Sequence, residues 1–173
     1  MNKRLLVAGV LLVALGVGIL NFMPEGAKQV SVGEQDRGFS LPDLQGKLQG
    51  LPEGKVVLLN FWATWCPPCR KEVPSMVKVY NQLKDKGLEI VAISVDKRRD
   101  DVVKFVEEQG MNFTVLHDVD SKVAHQYSVF RYPETFIIDR KGVVRQHLTG
   151  AVEWMDDEFY QYLETLLAEP LAK

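Results

Sequence analysis

The nearly unbroken apolar run VVLLNF at Val56–Phe61 leads within a few residues into Trp65-Cys66-Pro67-Pro68-Cys69, and this junction constrains the fold more than any other stretch. A strand apolar at consecutive rather than alternate positions must be covered on both faces, as happens when helices pack on both sides of a sheet. From Pro67 to Lys86 the spacing of Val73, Met76, Val77, Tyr80 and Leu83 follows one helical face, with Gly87 where a C-cap glycine belongs. Pro74 inside that stretch is expected to kink the helix. Leu88–Val95 reads as a second buried strand, Asp100–Gln109 as a helix stopped at Gly110, Phe113–Leu116 as a short strand and Ser121–Tyr127 as a short helix. Thr135–Ile138 and Val143–Leu148 read as an antiparallel pair about an Arg140-Lys141-Gly142 turn, Trp154–Leu167 as a closing amphipathic helix, and Phe39–Leu51 as a hairpin turning near Gln45-Gly46. A parallel β-α-β unit followed by a hairpin and a helix predicts a three-layer α/β sandwich with a mixed central sheet.

The chemistry concentrates in the cysteine pair, the only cysteines in the chain. At a helix N-terminus the first thiol meets unpaired N–H groups and the positive end of the helix dipole, which favour its thiolate. Cys66 is therefore the expected attacking sulfur, and Cys69, one turn further in, the resolving thiol that releases a mixed disulfide and closes Cys66–Cys69. Pro67 and Pro68 carry no N–H, so the Cys69 N–H is the backbone donor left for the Cys66 sulfur, and the two rings stiffen the loop that tunes the redox potential.

Two other uses of the pair fit poorly. A bridge closing so small a loop stabilises a fold little. A structural zinc needs about four N or S ligands, whereas no second C-x-x-C exists and His117, His125 and His147 lack paired short spacing. No metal is expected, and the histidines are given no role beyond surface or packing.

The chain otherwise divides into anchor, linker and domain. Leu5–Met23 carries no charge, follows Lys3 and Arg4, and stops at Pro24. As a helix it would rise about 28 Å, close to the roughly 30 Å hydrocarbon thickness of a bilayer. Without an A-x-A cleavage site followed by a polar start, residues 1–24 are expected to form an uncleaved signal-anchor, a single transmembrane helix. The basic residues ahead of the run place the domain on the extracytoplasmic side of the cell membrane. No cysteine lies at the end of the run for lipid attachment. Residues 25–38 lack periodicity and read as a linker, leaving 39–173 as the domain. The net charge of −2 offers no basic footprint for nucleic acid.

The segment FWATWCPPC at Phe61–Cys69, Pro74 in the following helix and Tyr132-Pro133-Glu134-Thr135 ahead of a strand resemble the thioredoxin superfamily. Within it, Arg70-Lys71-Glu72-Val73-Pro74, the opening FSLPDL at Phe39–Leu44 and PETFIIDRKGVV at Pro133–Val144 resemble the membrane-anchored TlpA, ResA and CcmG proteins associated with cytochrome c maturation. The likeness spans nearly all of Phe39–Leu167. It implies a thioredoxin-like fold whose Pro133 is cis and lies beside the cysteines, where its neighbour's backbone pairs with an extended substrate segment.

Glu72, one turn beyond Cys69, is placed to exchange a proton with the thiols, a role the resemblance also implies. Trp65 and Tyr132 are expected to flank the substrate groove, Glu134 to meet a cationic partner, and Trp62 to pack in the core. Asn60 departs from the thioredoxin pattern, which has a buried aspartate just before Phe-Trp-Ala; an amide cannot shuttle protons, so fast general thioredoxin activity is not expected. A peroxidase of the peroxiredoxin type would need threonine and proline three and seven residues ahead of its cysteine, where this chain has Ala63 and Leu59. A non-catalytic binding module would be favoured by a Cys66→Ala variant that keeps full cellular function.

The resulting expectation is a thiol-disulfide oxidoreductase that needs no cofactor beyond the Cys66–Cys69 disulfide. Its substrates are disulfides in exported proteins, such as the C-x-x-C-H of apocytochrome c, and a membrane electron donor of thiol-reductase type restores the thiols. Net direction depends on reduction potential, so a disulfide oxidant stays open as the alternative.

Overall fold

The computed structural model describes residues 30–170, so the apolar run Leu5–Met23 and the membrane helix expected there lie outside the described residues. Among the described residues no helix is long and apolar enough to cross a membrane. The elements in chain order are β1 (Leu41–Pro42), β2 (Leu48–Gln49), β3 (Val56–Trp62), α1 (Pro67–Leu83) with a 3₁₀ turn at Lys84–Lys86, β4 (Leu88–Ser94), α2 (Arg99–Gln109), β5 (Thr114–His117), α3 (Lys122–Gln126), β6 (Glu134–Ile138), β7 (Val144–Thr149) and α4 (Asp157–Ala168).

The central sheet has the order β5-β4-β3-β6-β7. β3 runs parallel to β4 and antiparallel to β6, so the sheet is mixed, as the crossover and hairpin patterns predict. Every residue of β3 is buried. Because neighbouring side chains on a strand point to opposite faces, both faces of the sheet are covered there, which gives the three layers. β1 and β2 form the expected hairpin, Leu41 opposite Gln49, with Gly46 at φ 86° in its turn.

Helix α1 starts at the two prolines and ends close to the predicted boundary, where Gly87 adopts φ 108°. Pro74 lies inside it, so the Arg70 carbonyl lacks the usual donor four residues on. The closing helix begins later than its apolar spacing predicts: Trp154 stands outside α4, and Asp156 is the N-cap. The cause is tertiary, since the Trp154 backbone N–H donates to Ser75 Oγ at 3.3 Å and draws this segment onto α1.

The boundary placed at Phe39 also needs correcting. Residues 30–38 are not a free linker: Gly33 N–H donates to the Val144 carbonyl at 2.7 Å, Val144 N–H to the Glu34 carbonyl at 2.9 Å, and Asp36 N–H to the Gly142 carbonyl at 2.7 Å. Val30 is buried, and the Tyr127 hydroxyl donates to the Asp36 carboxylate. The segment occupies part of the edge that β7 would otherwise leave open. Tyr127 also packs against Phe39, Phe61 and Phe136 in an aromatic cluster under the sheet end.

Candidate active site

The redox pair sits where the sheet delivers it. β3 ends at Trp62, a short turn follows, and Cys66 is the N-cap of α1 with Pro67 and Pro68 as its first residues. Cys66 and Cys69 are joined as a disulfide with their Cα atoms 5.3 Å apart. The Cys69 N–H donates to Cys66 Sγ at 3.3 Å, the contact left once the prolines remove the intervening donors. Cys66 is 4% exposed and Cys69 1%.

The Tyr132–Pro133 peptide is cis. It brings the Tyr132 carbonyl to 3.5 Å from Cys66 Sγ, although the two residues are far apart in sequence. Trp65 is 64% exposed and its ring meets Tyr132 edge to face at 5.9 Å. Cys66, Trp65, Tyr132 and Pro133 thus lie together, with the exposed Trp65 and half-buried Tyr132 beside the buried Cys66 and Pro133.

Glu72 lies beneath it on α1 and is almost wholly buried. Its Oε1 accepts from Trp154 Nε1 at 2.9 Å and from the Val152 N–H at 3.2 Å, while Asn60 Nδ2 approaches Oε2 at 3.4 Å. Burial pushes its carboxyl up to about 7, against these donors, which favour the ionised form. Asn60 also donates to Thr135 Oγ1 at 2.8 Å, directly across the β3–β6 ladder. The amide at this position therefore ties the sheet to the buried carboxylate, a function an amide performs without exchanging protons.

Glu134 differs from its expected setting. It is buried, and His147 Nε2 donates to its Oε2 at 2.6 Å, so it is turned inward rather than toward a cationic partner. The register explains this: β6 and β7 pair Glu134 with Thr149 and Phe136 with His147, which sets the imidazole diagonally beside the carboxylate. His147 also stacks on Phe136 at 4.1 Å between ring centroids.

Sequence reasoning singled out neither Trp154 nor Asp96. Trp154 fits an amphipathic helix equally well, and nothing local pairs it with Glu72. Asp96 follows a strand as many turn aspartates do, yet it is buried and accepts from both the N–H and the hydroxyl of Thr64, just ahead of Cys66. Among the described residues no group of His, Cys, Asp and Glu is placed to hold a metal ion.

The AhpC/TSA family model matches residues 32–147, from inside the N-terminal segment to β7. The chain belongs to the AhpC/TSA family. This AhpC/TSA protein is similar to the thiol-disulfide oxidoreductase ResA of Bacillus subtilis strain 168, 40% identical over 157 residues that cover 87% of this chain and 88% of the relative. It is equally similar to the ResA of Geobacillus kaustophilus strain HTA426, 40% identical over 160 residues, 91% of this chain and 90% of the relative. Among solved structures it resembles a putative thiol:disulfide interchange protein DsbE from Chlorobium tepidum, with TM-score 0.75 and 32% identity over 81% of this chain and all of that one. This member of the AhpC/TSA family is a thiol-disulfide oxidoreductase of thioredoxin-like fold, with Cys66 and Cys69 at disulfide distance as its redox centre.

Proposed function

We propose that the protein is a membrane-tethered reductant of disulfides in exported proteins, working outside the cytoplasm, with the C-x-x-C-H of apocytochrome c as a substrate class. The observation that carries this reading is the disulfide at the head of α1 beside cis-Pro133, in a chain 40% identical to ResA. The cytochrome assignment is supported by the resemblance to the TlpA, ResA and CcmG proteins, and the tether by the uncharged run Leu5–Met23 behind Lys3 and Arg4.

In the productive cycle the Cys66 thiolate attacks one sulfur of the substrate disulfide, forming a mixed disulfide and releasing the other as a thiolate. Cys69 passes its proton to the buried Glu72 carboxylate and attacks Cys66 Sγ. The Cys66–Cys69 bond forms, and the second substrate sulfur leaves and is protonated. Two electrons have moved to the substrate, and a membrane donor of thiol-reductase type returns them to Cys66–Cys69. Trp65 and Tyr132 line the approach, and backbone beside Pro133 pairs with the extended substrate segment.

Trapping with Cys69→Ser tests the reading. The variant should accumulate mixed disulfides through Cys66 with exported C-x-x-C proteins; recovery of none counts against the cytochrome assignment. A reduction potential well below that of glutathione is expected for a dedicated reductant, and a strongly oxidising one would make the protein a disulfide donor instead.

A further inference from the structure

The turn Ala63–Cys66 lies between the end of β3 and the start of α1; its Cys66 carbonyl accepts from the Arg70 N–H at 3.2 Å as the helix begins, whereas Thr64 and Trp65 lie outside strand and helix. Such a turn keeps one geometry only when its polar groups are tied from outside. At Thr64 all of them are. The N–H donates to Asp96 Oδ2 at 2.9 Å, the hydroxyl donates to Asp96 Oδ1 at 2.6 Å, and the carbonyl accepts from Arg70 Nη1 at 3.1 Å. The Arg70 guanidinium is itself placed over the Phe105 ring, 4.7 Å from its centroid.

Asp96 is equally constrained. It is 3% exposed, its Oδ2 accepts from the Ser94 hydroxyl at 2.8 Å, and its carbonyl meets His117 Nε2 at 2.7 Å. The adjoining Val95 N–H donates to the Trp62 carbonyl at 3.1 Å, so the ends of β3 and β4 are fastened together just below the cysteines. Next along the turn, the Cys66 N–H donates back to the Ala63 carbonyl at 3.2 Å.

We propose that Asp96 is a positioning residue for the redox pair: by holding Thr64 it fixes the turn from which Cys66 projects, and so sets the effective concentration of the Cys66 sulfur toward Cys69. The step affected is closure, in which the Cys69 thiolate attacks Cys66 Sγ of a mixed disulfide, the Cys66–Cys69 bond forms, and the partner's thiolate leaves and is protonated by water. Closure is intramolecular, so its equilibrium depends on how well the two sulfurs are pre-aligned, and a displacement of about 1 Å can cost on the order of a hundredfold. The inference rests on the disulfide chemistry alone and holds for any substrate.

The test is the equilibrium constant of the full-length protein with glutathione, read as the fraction of Cys66–Cys69 oxidised. Thr64→Val keeps the shape, the backbone donor and the Asp96 charge but removes the hydroxyl, and it should lower the constant at least threefold. Asp96→Asn should lower it at least tenfold, about 30 mV less reducing for a two-electron couple. The double variant should fall within twofold of Asp96→Asn, because both act through one contact, and Thr64→Ser should stay within twofold of wild type. A Thr64→Val constant equal to wild type, or an Asp96→Asn effect abolished by 1 M salt, would make Asp96 a mere local charge and overturn the proposal. A lowered unfolding midpoint with an unchanged constant would make it only structural. Should Asp96→Asn not fold, Thr64→Val and Thr64→Ser decide the matter between them.

Discussion

The Trp154 indole donates through Nε1 to Glu72 Oε1 at 2.9 Å, joining the segment ahead of the last helix to the helix that carries both cysteines. The bond selects for the ionised carboxylate, since a negative acceptor binds the indole N–H more strongly than a neutral one. Burial acts the other way and wins, leaving the Glu72 carboxyl at about 7. Trp154→Phe keeps most of the packing but removes the donor, so the Glu72 midpoint should move further up, by about one unit. Carboxyl-carbon NMR shifts of Glu72 against pH would measure this directly; an unmoved midpoint would mean that the indole bond leaves the carboxyl unaffected.

The same elevation has a consequence for stability. In the unfolded chain Glu72 titrates near its ordinary 4.5, and in the fold near 7. Between those values the folded protein binds the extra proton, so stability from this group is full below about pH 4.5 and is lost as pH rises through 7. The difference corresponds to roughly 3 kcal/mol. Glu72→Gln should therefore be more stable than wild type at pH 8 by about 1–3 kcal/mol and close to it near pH 4. Urea unfolding of the oxidised protein at the two pH values checks the sign, and an equal effect at both would remove the linkage.

A second buried carboxylate, Glu134, depends on His147. His147→Phe preserves a ring against Phe136 but leaves Glu134 Oε2 without its donor, which should cost about 1–3 kcal/mol. Adding Glu134→Gln, which removes the charge, should recover part of the loss. The double-mutant cycle in urea reads the coupling, and additive losses would mean that the contact at 2.6 Å contributes no net energy.

The parts of this molecule legible in its sequence are those in which neighbouring residues carry the pattern. Consecutive apolar positions announce β3, helical spacing announces α1, and the cysteines and prolines announce where the helix begins. Pairings between distant residues left no such mark. His147 faces Glu134 only because β6 and β7 pair in one register, and Trp154 leaves its helical period because Ser75 and Glu72 hold it. Asp96 carries no sequence signal at all, since its importance lies in β4 ending beside β3.

Trp65 is 64% exposed and its ring meets Tyr132 edge to face. Trp65→Ala should change folding stability by no more than about 0.5 kcal/mol, as for exposed side chains generally. If the ring forms one wall of the approach to Cys66, the variant should reduce a small disulfide such as 2-hydroxyethyl disulfide at the wild-type rate while losing about tenfold on a protein disulfide. Equal rates on both substrates would take Trp65 out of substrate binding.

The N-terminal segment sets where a stable soluble domain can begin. A chain starting at Phe39 loses the buried Val30, the backbone bonds that Gly33, Glu34 and Asp36 make to the β7 end of the sheet, and the carboxylate that receives the Tyr127 hydroxyl. Burying one valine contributes about 1.5–3 kcal/mol and each hydrogen bond roughly 1 kcal/mol, while a buried tyrosine hydroxyl without a partner adds a desolvation cost. A chain beginning at Val30 should therefore exceed one beginning at Phe39 by about 4–6 kcal/mol in urea unfolding. Equal midpoints would make residues 30–38 a tether that only rests against the sheet edge. A large gap would mean that residues 30–38 belong to the domain and complete the β7 edge of its sheet.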